Sequence, residues 1–160
     1  MLTAKCQRQD PVLAHFRQSE MDGACAHHAL ASALVILGLI KRSAVLEQSR
    51  RRYGVAAILY TVLADHWMDG IYAPELVGAI EQLNLPLDVK WVDGFDTGVD
   101  ALTVDALMRG SLVLIAYQSE RDRHRHFVLA VGCGGVMDRQ RSAVDTLLVL
   151  DPSMDPLPFS

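Results

Sequence analysis

Cys25 stands where a polar segment, "RQSEMDG", gives way to an apolar one, "ACAHHALASALVILGLI". A cysteine at that junction falls in the first turn of a helix. The leading N–H groups of a helix have no partner inside it, and the positive end of the helix dipole lies there. Both favour the thiolate, the nucleophilic form of the side chain. A thiolate nucleophile needs a base, and the base needs a group to orient it. His126 opens the apolar run "HFVLAVG", and a strand fixed in a sheet holds an imidazole rigidly. Asp151 ends "TLLVLD". If those two strands pair, its carboxylate lies beside His126, where it selects the tautomer and stabilises imidazolium. Acyl transfer also needs donors for the developing oxyanion. The backbone N–H of Cys25 can be one, and the side-chain amide of Gln18, folded back over the helix start, the other.

Each of these residues has an ordinary alternative role. A free cysteine commonly serves as a small buried hydrophobe. An Asp-Pro pair commonly starts a turn, and a loop glutamine is commonly just solvated. Of the six histidines, His15 in the N-terminal arm and His66 beside Trp67 read as incidental. His27 and His28 are too near Cys25 along the same helix to approach it from the side a substrate needs. His124 shares a strand face with His126 if the strand extends that far, but the run "SERDRHRH" reads as a solvated loop. Cys25 with His28, His124 and His126 would also form an acceptable metal-ligand set, although their spacing matches no recognised structural-zinc pattern.

The elements that must position these groups change period midway along the chain. Residues 25–40 form one apolar helix ending at Gly38 or just beyond. Ser43 can cap a second helix reaching Tyr53. "VAAILYTVLADHW" is a third apolar helical stretch, and Pro74 suits the first turn of a fourth, "APELVGAIEQLN". "LDVKWV" then alternates as a strand, and "TVDALMRG" is a short helix closed by Gly110. "LVLIAY", "HFVLAVG" and "TLLVLD" are three strands, the last two joined by the loop "CGGVMDRQRSAVDT" as a long hairpin. The expected fold class is α+β, an N-terminal helical half packed on a mostly antiparallel sheet. At 160 residues, with half of them apolar and no evident linker or repeat, residues 1–160 read as one domain. A net charge of −4 without a long run of one sign argues against nucleic acid as the main partner. The basic stretch "KRSAVLEQSRRRYG" reads as a solvated helix face. No signal-peptide pattern or transmembrane-length run stands out, and three cysteines cannot all pair. The expected location is therefore a reducing compartment such as the cytoplasm.

The order Gln18, Cys25, "HFV" and "DP" resembles the papain-like cysteine peptidases. Within them it is most similar to the bacteriocin-processing, double-glycine peptidases, over roughly residues 15 to 155. That family has a Gln, then Asp-Cys-Gly, then a His-Phe-Val-Val strand and Asp-Pro; here the central motif is Ala24-Cys25-Ala26, and Gln18 lies one position further from the cysteine than usual. The resemblance implies a papain-like fold, a peptide or protein substrate cut after small residues such as Gly-Gly, and no cofactor or metal. It assigns Cys25 as nucleophile, His126 as base, Asp151 as orienter and Gln18 as oxyanion donor. Relatives of this kind are fused to exporters or delivered as effectors or toxins that meet an inhibitor or immunity partner. Other readings stand beside it: a non-catalytic peptide-binding domain of the same fold, a metal-binding domain, and a thioester enzyme that transfers or deamidates instead of hydrolysing.

These readings order the three thiols. Iodoacetamide at near-neutral pH is expected to label Cys25 well before Cys6 or Cys133, followed by peptide mass spectrometry. Equal labelling of all three in the folded protein would remove the case for a thiolate at the helix start.

Overall fold

A computed structural model describes residues 2–3, 13–19, 22–94, 98–118, 125–138 and 141–155. Helix α1 (Cys25–Ile36) is followed by a short α2 (Arg42–Leu46), α3 (Val55–Val62) and α4 (Ala73–Gln82). Helix α5 (Val99–Met108) precedes three strands, β3 (Val113–Gln118), β4 (Arg125–Asp138) and β5 (Arg141–Leu150). The strands form an antiparallel sheet in chain order, and a separate two-residue pairing joins β1 (Leu2–Thr3) to β2 (Asp88–Val89). The molecule is α+β, with helices packed on a three-stranded antiparallel sheet.

Helix α1 is the centre of the core. Ten of its twelve residues are buried, including His27 and Ser32, which explains why no polar stripe interrupts its sequence. It lies against β4, and Phe127 and Leu129 of that strand join its cluster with Leu30, Leu34, Leu59 and Leu76. Alternation along β4 sends Val128 and Ala130 to the other face. They are buried as well, and α5, with Ala106 and Leu107 buried, lies against β3 and β4.

Several boundaries differ from expectation. Helix α1 stops at Ile36, where Leu37 and Gly38 turn the chain, Gly38 at φ +71°. The expected second helix breaks into α2 and a 3-10 turn at Gln48–Arg50; Lys41, not Ser43, precedes it, and Tyr53 lies outside it. Only Asp88–Val89 of the "LDVKWV" segment is a strand. Helix α5 starts four residues before "TVDALMRG", from Gly98 at φ +87°. The long hairpin expected between the last strands is present, but its arms are mostly strand and not loop. β4 runs on to Asp138 and β5 begins at Arg141, because the glycines in "VGCGGV" accommodate bulges between Ala130 and Gly132 and between Gly134 and Gly135. Since β3 pairs only as far as Ala130, the outer part of β4 pairs with β5 alone. Among the described residues no helix is long and apolar enough to cross a membrane.

The approach to α1 is held by backbone contacts at Gly23. The Gly23 N–H donates to the Trp67 carbonyl at 2.9 Å. A Cβ on Gly23 would meet the Met68 carbonyl oxygen at 2.4 Å and the Gly70 nitrogen at 2.8 Å. Both are backbone atoms with no side-chain freedom to yield. Gly23→Ala is therefore expected to destabilise the fold by about 2 kcal/mol, in the range of overpacked sites, measured by denaturant unfolding. A variant as stable as wild type would mean that the 22–24 turn does not hold α1 in place.

Candidate active site

The β4–β5 register brings the acid to the imidazole. Leu129 pairs with Leu150. Continued by one step, that register sets Asp151 opposite Val128, on the same face as His126 and diagonal to it, within reach of a side-chain contact. The His126 Nε2 to Asp151 Oδ1 distance is 2.6 Å. On the other side of β4, Tyr117 pairs directly with His126, its ring edge-on to the imidazole at 5.6 Å. With Nε2 taken by Asp151, Nδ1 is the nitrogen left to face Cys25, which is near enough to raise the imidazole; the Cys25 thiol itself points to the Gly23 carbonyl oxygen at 3.9 Å. Cys25 is the first residue of α1 and is 6% exposed. As the first helical residue, its N–H has no acceptor within the helix. The structure thus brings Cys25, His126 and Asp151 together.

The charges balance accordingly. The neighbouring Cys25 does most to raise His126, burial opposes it, and the bond to Asp151 adds to it, so the imidazole is pushed up to about 9. Burial works to raise the Asp151 carboxyl, but hydrogen bonds from His126 and Ser153 outweigh it and hold the group below its ordinary value. Burial raises the Tyr117 phenol, with the charges of Asp151 and Cys25 adding to the effect. A raised imidazole beside a lowered carboxyl is the pattern of an imidazolium held against a carboxylate.

Gln18 reaches the same region by a different route from the one its spacing suggested. Its backbone N–H donates to the Pro152 carbonyl at 2.9 Å, so it lies against the turn that follows Asp151. Its side-chain Nε2 donates to the Asp22 carbonyl at 3.2 Å. The second amide hydrogen is not used in that bond, and buried Oε1 has no partner among the described residues. Asp22 ties this segment to the helix start. Its carboxylate accepts the Ser19 N–H at 3.0 Å and the Ala24 N–H at 3.1 Å.

Three contributors were not legible beforehand. Ser153 donates to Asp151 Oδ1 through both its N–H (2.9 Å) and its hydroxyl (2.7 Å); the only hint was a serine two residues after an aspartate, which often closes such a turn. Tyr117 becomes visible only once β3 is paired to β4. His15, read as incidental, lies 2.8 Å through Nε2 from the Asp151 carbonyl. The remaining histidines stay outside the site. Buried His27 donates from Nε2 to Gln48 Oε1 at 2.9 Å and meets Trp67 edge-on at 4.6 Å, and burial depresses it to about 4. His28 also turns toward Trp67. Among the described residues no three His, Cys, Asp or Glu side chains converge as metal ligands; His124 and Cys6 lie outside those residues. A cavity of about 550 Å³ lies between residues 90–94, α5, β3 and β5. None of the four site residues lines it, so the chemistry is not located there.

The raised His126 carries a sign. Its folded value, about 9, exceeds the ordinary 6.5, so its contribution to stability is complete below about 6.5 and is lost as pH rises through about 9. The melting-temperature advantage of wild type over His126→Gln is expected to shrink across that window. In Cys25→Ala, the His126 ring-proton titration followed by NMR should move down toward 6.5, because the largest contribution is removed. An unchanged midpoint would mean that Cys25 does not partner the imidazole.

No family model, curated protein or solved structure matches this chain.

Proposed function

We propose that the chain is a cysteine peptidase of papain-like arrangement, acting through Cys25, His126, Asp151 and Gln18. The observation that carries this reading is the continuous line Cys25–His126–Asp151, with the cysteine at a helix start and the acid 2.6 Å from the base. Cys25 attacks the carbonyl carbon of a peptide bond. The oxyanion is received by the Cys25 N–H and the free amide hydrogen of Gln18. His126 returns its proton to the leaving amine, leaving a thioester on Cys25. Water, deprotonated by His126, then attacks the thioester and releases the acid. Asp151 holds the ring so that Nδ1 faces the sulfur and stabilises the imidazolium between steps. The reaction needs no cofactor or metal.

The family resemblance supplies the substrate class: an extended peptide or exposed protein loop cut after small residues, most simply Gly-Gly. The alanines flanking the nucleophile do not contribute to this preference. Ala24 is 3% and Ala26 1% exposed, so their small size serves packing of α1 and not the substrate cleft. The protein would act inside a cell, in its own cytoplasm or as an effector delivered to another.

Peptide libraries and cell lysate, incubated with wild type or Cys25→Ala and read by mass spectrometry, test the proposal. Cleavage should require Cys25 and enrich Gly or Ala on the acyl side. A bulky or charged preference would refute the small-residue specificity. Amide modification without chain cleavage would redirect the same site to deamidation or transfer. Within the site, Cys25→Ala and His126→Ala should abolish turnover, since nucleophile and base act as a unit. Asp151→Asn should cost less. Gln18→Ala should cost on the order of 10² to 10³ in kcat; full activity would reassign the oxyanion donor.

A further inference from the structure

The segment 13–19 crosses the turn after β5 at two points. His15 Nε2 lies 2.8 Å from the Asp151 carbonyl oxygen. A carbonyl only accepts, so Nε2 carries the hydrogen and donates. Three residues later the Gln18 N–H donates to the Pro152 carbonyl at 2.9 Å. The segment is itself held from behind. Arg42 Nη1 donates to the carbonyls of Leu13 (3.1 Å) and His15 (2.8 Å), and its guanidinium lies 4.4 Å over the Phe16 ring. His15 is 8% exposed, and its Nδ1 has no partner among the described residues. Burying an imidazole with one nitrogen unsatisfied costs free energy that an apolar side chain of the same size would avoid. Packing alone does not account for histidine there; the donor to Asp151 does.

From this geometry we infer that His15 is a positioning residue: it fastens the orienting Asp151 and the oxyanion donor Gln18 to one another through a single clamp. The inference rests on the peptidase reading for its catalytic consequence, but not for its geometry. The clamp explains how two groups 133 positions apart in the chain keep a fixed separation. Ser153 fixes the Asp151 carboxylate from its own turn; His15 fixes the backbone that carries it. Without His15, among the described residues the Asp151 carbonyl keeps only the Met154 N–H at 3.1 Å.

The test compares His15→Gln with His15→Met. The two replacements have nearly the same shape, and only glutamine keeps a donor near the Nε2 position. Two readouts are taken on variants whose melting temperatures show them folded. One is the rate at which iodoacetamide alkylates Cys25 at near-neutral pH, which needs no substrate. The other is kcat and KM on a Gly-Gly peptide. His15→Met is expected to slow alkylation and lower kcat about tenfold or more, the scale of a small misplacement at an active site, with KM little changed. His15→Gln should recover most of both. If His15→Met does not fold, His15→Asn, too short to reach the carbonyl, takes its place. Equal behaviour of the donor and non-donor variants, or a loss confined to KM, would overturn the inference. If wild type cleaves no peptide, the peptidase reading fails, while the alkylation rates still decide the role of His15.

Discussion

The register of β4 against β5 is the constraint on which the site depends. The pairing of Leu129 with Leu150 puts Asp151 on the His126 face and within 2.6 Å of its Nε2. A slip of one residue would send every β5 side chain to the opposite face and take the carboxylate away from the imidazole. Register is firm at this end of the sheet because Phe127, Val128, Leu129 and Ala130 are all buried, so both faces of β4 penalise a slip. The bulges lie beyond, where residues 144–149 of β5 are exposed. Irregularity is thus kept to the part of the hairpin that does not carry the site.

The two best-placed histidines show how environment, not residue type, sets chemistry. His27 and His126 are the same side chain, both hydrogen-bonded. His27 meets a neutral amide in the core, and burial takes it down to about 4. His126 meets an acid and a thiol at the edge of the core and rises to about 9. An imidazole is useful as a proton carrier beside a thiol only in the second setting. The first serves as a flat, edge-on packing partner for Trp67.

Rigidity reaches the site from three directions. The 22–24 turn is closed by Asp22 and by the backbone contact of Gly23 with residues 68–70. The 151–155 turn is closed on itself by Ser153 and Met154. The 13–19 segment joins the second turn through His15 and Gln18, and the salt bridge Arg17–Asp155 at 2.7 Å adds an exposed tie of small energetic weight. Side chains held this way are oriented in advance, as the proposed thiol chemistry requires.

The sequence by itself determined the helical first half, the three strands and the chemical identity of the site residues. Each of these is written in local pattern: the apolar run after Cys25, the β-branched runs, the proline in the first turn of α4. It also marked the cysteine, since a thiol at a polar-to-apolar junction is a local feature. Only the tertiary structure decided that His126 and Asp151 share a face, that Tyr117 stands beside them, and that His15 reaches across 136 positions to the Asp151 carbonyl. It also closed the 22–24 turn against residues 67–70 and carried strand pairing through most of the β4–β5 connection. The physical reason is the same throughout. Periodicity reports which way a side chain points along its own element, whereas register, bulges and backbone contacts between distant segments are settled by packing, and packing leaves no signature at the residues themselves.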